Sequence, residues 1–308
     1  TARRSMEYHS PSRTAEPACM FHLILNVIFA STFILCIKWV QNREREDILS
    51  VGAINYIVAA IWISPEFFQS RGGDLSMTAL STSAVVTGAT MGACYFLAYF
   101  LVIHTVRLIG AASSTVVGVT SILLPILCGI FIWSEQPNGL QLVGVFLALA
   151  SLALIGWRSD NAAQSERPWF TPAVMLIFFV LAGVARLAQE AFKHTSDADD
   201  RPTFLFVAFL VTAIPSIAIL LVRRRSISVR ELAFGFTMGA ANILQTHFIL
   251  KSLEQFDGFI VFPVTSAGGL ILTTLIATRM LGEQLTRRTY TGIGIAVCAL
   301  VLLNWTPT

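Results

Sequence analysis

Arg186, Gln189, Glu190 and Lys193 stand at i, i+3, i+4 and i+7 inside the apolar run FFVLAGVARLAQEAFK, so a helix carries all four on one face. An ionisable group within such a run is costly to bury and marks a substrate or ion path. If the helix begins near Pro172, Arg186 lies about 21 Å along it at 1.5 Å per residue, in the far half of a bilayer. The same spacing also suits an intrahelical Arg186–Glu190 pair with Lys193 snorkelling to the surface.

A second polar group, Asn242, Gln245 and His247, followed by Lys251, interrupts a later run. An offset of 147 residues lays TMGA at Thr90–Ala93 over TMGA at Thr237–Ala240, and with it Tyr95 over Asn242 and His104 over Lys251. Matched polar positions in matching helices suit a site built at a pseudo-two-fold axis. Tyr95 and Asn242 are therefore expected to bind, and Gln245 to tie helices together. Lys38, Asn26 and Asn55 are weaker candidates, Lys38 being near a helix end from which it can snorkel.

The chemistry these types allow is hydrogen bonding and charge pairing. Lys38, His104, Arg186, His247 and Lys251 against Glu190 tilt the candidate cavity towards cations, so an anionic or zwitterionic cargo is expected. Neither HExxH nor GxSxG is present, and His104 and His247 have no carboxylate at ligand spacing, which argues against an enzyme. No catalytic residue, metal or cofactor is expected. The cysteines Cys19, Cys36, Cys94, Cys128 and Cys298 form no CxxC spacing and read as small hydrophobes.

The elements that must hold these residues follow from composition. Of 308 residues, 55% are hydrophobic and 13% charged, with a mean hydropathy of +0.70, where a soluble domain carries roughly a quarter charged residues. That is the class of polytopic membrane proteins. A net charge of +3 without a basic-aromatic stripe gives no footprint for nucleic acid. Ten apolar stretches are long enough to cross a bilayer, near Cys19–Val40, Ile48–Phe68, Thr78–Ile103, Ile109–Trp133, Leu140–Trp157, Trp169–Phe192, Thr203–Val222, Leu232–Leu250, Gly258–Leu281 and Tyr290–Trp305. In lipid each backbone group needs an internal partner, and the runs do not alternate as barrel strands do, so helices are expected throughout. The polar stretch 1–18 leads into the first run with no small-residue cleavage site, so that run is read as a retained span.

The chain repeats itself. An offset of 148 residues lays Glu135 over Glu283, Gln136 over Gln284, Gly144 over Gly292 and Trp157 over Trp305. Both glutamates occupy short turns and are expected to favour the N-terminus of the following helix through its dipole. This organisation gives a five-helix unit at 19–157, a polar linker at 158–168 and a second unit at 169–305. Five spans per unit is odd, so the units point oppositely in the membrane, the inverted-repeat plan that places a site near the midplane. Small residues at Val117–Ser121 and Ser266–Gly269 are candidate hinges.

The Glu-Gln turns, the Gly-rich helices after them, Pro125 ten residues before Glu135, and Ala111-Ala112-Ser113-Ser114 make the chain resemble the drug/metabolite transporter superfamily, in particular its ten-helix EamA-type members. The resemblance spans about residues 19–305. Two positions depart from it: Thr273 stands where the first copy has Pro125, and the first span lacks the family's frequent Trp-Gly pair. The resemblance implies alternating-access export of an amino-acid-like metabolite or drug through the cell (inner or plasma) membrane, by a monomer or homodimer. It also implies termini in the cytoplasm, whereas counting loop Arg and Lys favours termini outside. An intramembrane enzyme and a non-transporting sensor or assembly subunit are the other readings.

Overall fold

The computed structural model describes residues 16–41, 47–72, 80–109, 117–156, 170–281 and 287–303. Among them are ten α-helices: α1 Glu16–Gln41, α2 Ile48–Ser70, α3 Thr82–Ile109, α4 Leu123–Phe131, α5 Gly139–Gly156, α6 Thr171–Thr195, α7 Arg201–Arg223, α8 Val229–Leu253, α9 Gly258–Leu281 and α10 Arg287–Leu303. The all-helical, polytopic expectation is borne out. Six helices are long and apolar enough to cross a membrane. Side chains such as Phe131 and Val222 are about 80% exposed, as a lipid-facing surface requires.

Contacts at the helix ends fix the direction of the chain. The starts of α5 and α9 meet the end of α6 through Glu135, Gly258 and Lys193. That end of the bundle, where α1 also begins, is called the near face. At the far face, Asp47 before α2 meets Arg223 at the end of α7 and Glu231 at the start of α8. Asp47 is the N-cap of α2, and Ser228 and Glu231 form a capping box on α8.

At α5 the cap is Asn138, whose side chain accepts from the Gln141 N–H at 2.8 Å while Gln141 accepts from the Asn138 N–H at 2.9 Å. The sequence reading gave this helix start to Glu135. Ser134, at φ 59°, turns the backbone so that Glu135 points inward instead, and its carboxylate takes the Gly258 N–H that opens α9. Asn138→Ala should therefore cost about 1 kcal/mol, read as a small drop in melting temperature in detergent.

The fourth apolar stretch, expected as one span, is broken. Residues 117–120 are helical, the chain turns at Ser121 and Ile122, and α4 starts at Leu123. Pro125 has no N–H to give the Ser121 carbonyl, which takes the Leu124 N–H at 3.1 Å instead. The Ile122 N–H shifts to Val119 at 3.1 Å, and the Gly118 carbonyl is released from its usual helical partner.

The most extensive packing among the described residues joins α1–α5 to α6–α10 rather than neighbours along the chain. α5 lies along α10, α3 along α6, α1 along α8, and both α2 and α3 along α7. Two parallel crossings are close enough to exclude a side chain. Gly92 of α3 abuts the Ala208 carbonyl, and Gly239 of α8 abuts that of Asn55. These are the glycines of the two TMGA segments. Phe204, Phe209, Phe262 and Met91 fill the core around them.

Candidate functional site

Arg186 lies where the broken fourth stretch presses on α6. Its Nη1 donates to the freed Gly118 carbonyl at 2.9 Å and to Ser121 Oγ at 2.5 Å, and Ser121 Oγ also donates to Gly118 at 2.7 Å. Gly183, one turn earlier, lets α6 approach this break, since a Cβ there would be 3.0 Å from the Ser121 carbonyl. A break inside a membrane is tolerated where side chains re-satisfy the backbone, and broken helices border the binding sites of many transporters. Arg186 does not pair with Glu190, because the break supplies it with two oxygens.

One turn on, Gln189 Nε2 donates to Tyr95 Oη at 3.1 Å and approaches Met91 Sδ at 3.7 Å. Tyr95 interacts in turn with Arg186 and with the Thr246 hydroxyl. Thr246 Oγ1 donates to the Asn242 carbonyl at 2.8 Å, and Asn242 Nδ2 to Asn55 Oδ1 at 3.2 Å. Gln245 Nε2 donates to Asn242 Oδ1 at 3.0 Å, and Asn26 Nδ2 to the Gln245 carbonyl at 2.7 Å. A continuous polar belt thus crosses from α6 through α3 and α8 to α2 and α1. Gln189, Asn55, Asn242 and Thr246 are each at most 2% exposed. The belt holds one guanidinium, the Tyr95 and Thr246 hydroxyls and five side-chain amides, but pairs no nucleophile with a base. It can bind and orient a polar molecule.

Glu190 belongs to a separate near-face group. Lys193 Nζ sits among Glu135 Oε1 at 3.3 Å, Glu190 Oε1 at 3.4 Å, Asp257 Oδ1 at 3.4 Å and the Phe256 carbonyl at 3.3 Å. His194 Nε2 is 3.2 Å from Glu190 Oε1, and its ring stacks on Trp133 at 4.6 Å. Burial pushes the Glu135 carboxyl up, but the His194 imidazole and the Lys193 ammonium outweigh it and hold the group at about 2. The carboxylates and the imidazole bring ligand-type atoms within 4.8 Å of one another. Lys193 already fills the cation position among those oxygens, so the group is not a metal site as it stands. A cavity of about 440 Å³, lined by Lys193, His194, Asp197 and Glu254 among others, opens beside it.

His247 points elsewhere, its charged neighbours being Arg201, Lys251 and His22. Lys38 lies half-buried near the far-face end of α1. Glu283 and the side chain of His104 fall outside the described residues. The sequence singles out none of Thr246, His194 and Asp257, and marks Ser121 only as the end of a candidate hinge. Thr246 carried a usable signal, standing one helical turn beyond Asn242, and Ser121 stands four residues before Pro125, where a freed carbonyl is expected.

Residues 17–157 match the sequence model of the EamA-like transporter family. The first half of the chain is an EamA-like transporter unit. It falls within the drug/metabolite transporter superfamily, as the Glu-Gln turn and Pro125 anticipated. With its apolar helices, the chain is an integral membrane protein whose first half is transporter-like. A solved structure described only as "Crystal structure of protein" is similar to it with a TM-score of 0.68, at 13% identity, over 94% of this chain and 96% of the other. That likeness concerns the fold alone. No curated protein matches the chain.

Proposed function

We propose that this EamA protein carries a small anionic or zwitterionic metabolite, an amino-acid-like compound or a related drug, outward across the cell membrane by alternating access. The observation that carries the reading is Arg186, a guanidinium lodged at a broken helix and facing the Tyr95–Thr246–Asn242 belt between the halves. Arg186, Gln189, Tyr95 and Asn242 are the residues we assign to cargo. A guanidinium offers two parallel donors that match a carboxylate, and in a dry cavity that pairing is strong.

Two inverted five-helix units, 19–157 and 169–305 with a linker between them, support the motion this needs. The packing is consistent with such an exchange of roles: α1 lies on α8 as α6 lies on α3, and α2 meets α8 as α7 meets α3. Rocking of one half on the other would open the belt first to one face and then to the other. Duplication within one chain supplies the two-fold, so a monomer suffices. We assign no enzymatic activity, because the belt has no nucleophile–base pair.

The test is uptake of labelled amino acids, carboxylates and nucleotides into sealed proteoliposomes. Saturable flux is expected, reduced at least about tenfold by Arg186→Ala, matching the 1.5–3 kcal/mol of a hydrogen bond to a charged group. Gln189→Ala and Tyr95→Phe should reduce it less. A preference for organic cations would contradict the charge assignment.

A further inference from the structure

We infer that Glu135 and Glu190 together form a proton-binding site, holding one shared proton at neutral pH and thereby docking the α4–α5 turn onto α6. The pair is nearly dry, with side chains 3% and 0% exposed, and Oε2 of each is buried without a hydrogen-bond partner. Only Oε1 of each faces Lys193. Two carboxylates whose oxygens belong to one cluster within 4.8 Å in a low-dielectric site cannot both stay ionised, and a proton on either makes it a donor to the other.

The surrounding charges demand the same. From α6 come Lys193 and His194, from the α4–α5 turn Glu135, and from the α8–α9 connection Asp257. Even with His194 protonated, three carboxylates face two positive charges. One proton on the pair brings the group to balance. A metal ion would have to displace Lys193 from its four oxygens, whereas a proton leaves every observed contact in place. Further out, Asp197 and Glu254 line the adjoining cavity, and Glu254 is paired with Arg201. On release the proton leaves Glu190 by way of His194, which lies 3.2 Å from it and lines that cavity, leaving a second buried carboxylate beside Glu135. Repulsion between the two then weakens the grip of the turn on α6. The site needs no cargo, so it stands or falls apart from the transport reading.

The test uses the full chain in detergent. Difference infrared spectra at neutral pH should show a carboxylic-acid C=O band, shifted in D2O, that Glu190→Gln removes. Glutamine mimics the protonated acid, so Glu190→Gln should melt close to the wild type at neutral pH. As pH rises, the wild type should lose stability relative to that variant, because its folded state gives up a proton the unfolded state does not hold. Absence of the band, or its persistence in both Glu190→Gln and Glu135→Gln, would overturn the inference. So would a melting temperature raised by zinc or sodium in place of the acid band, which would make the group a cation site.

Discussion

Gly92→Val is expected to prevent recovery of folded, monodisperse protein, and Gly239→Val to do nearly the same. A Cβ at Gly92 would stand 2.3 Å from the Ala208 carbonyl oxygen, and one at Gly239 would stand 2.7 Å from that of Asn55. Both obstacles are backbone, which cannot rotate aside as a side-chain tip can. In a membrane, helix association rests on close van der Waals fit at small residues, because lipid offers no hydrophobic drive to compensate. Forcing apart α3 and α7, or α2 and α8, separates the surfaces that hold the two halves together. The cost should reach about 3 kcal/mol or more, at the upper end of overpacking effects. Gly294→Ala is the control: nothing lies within 4 Å of its Cβ position, and its helical site should gain up to about 1 kcal/mol. Thermal unfolding followed by circular dichroism or size-exclusion profile distinguishes the variants. Equal behaviour of Gly92→Val and Gly294→Ala would mean the crossings are looser than described.

Glu135→Ala should destabilise the protein by about 3 kcal/mol, the lower end of the cost of stripping one partner from a buried ion pair, since Lys193 still reaches water. It removes an acceptor from Lys193 and His194 and leaves the Gly258 N–H unpaired at the start of α9. Glu135→Gln keeps an acceptor for Gly258 and should lose less. The pH dependence has a definite sign. Glu135 is held at about 2, below its ordinary 4.5, so its contribution is fully present above the ordinary value. It is lost as pH falls towards about 2. The gap in melting temperature between wild type and Glu135→Gln should therefore stay constant from pH 7 down to the ordinary value and close below it. A gap that widened on acidification would contradict this electrostatic role.

Much of the helical layout was legible because apolar runs and their polar interruptions are properties of local sequence. The start and end of α9, Gly258 and Leu281, fell where hydropathy placed them. The pairing of Tyr95 with Asn242 was visible through the TMGA offset, and the structure connects the two through Thr246. What was not legible depended on which distant residue arrives opposite. Arg186 looked like a partner for Glu190 because both lie on one helical face. Only the arrival of Gly118 and Ser121, released by Pro125, decides otherwise. Glu135 looked like a cap for the helix that follows it, and its true neighbours stand 58 and 123 residues away. Helix periodicity ranks faces, but it does not say which helix of the other half a face will meet.

The most direct measurement is the accessibility of the belt. Thr246, 1% exposed, lies between Tyr95 and Asn242 and accepts a small substitution. In a background without the native cysteines, Thr246→Cys would be treated with a membrane-impermeant thiol reagent from each side of sealed vesicles. Alternating access requires labelling from both sides, slowed by any compound found to be transported. A folded variant labelled from neither side, whatever cargo is present, would make the belt a static hydrogen-bonded core and contradict its role as the path of transport.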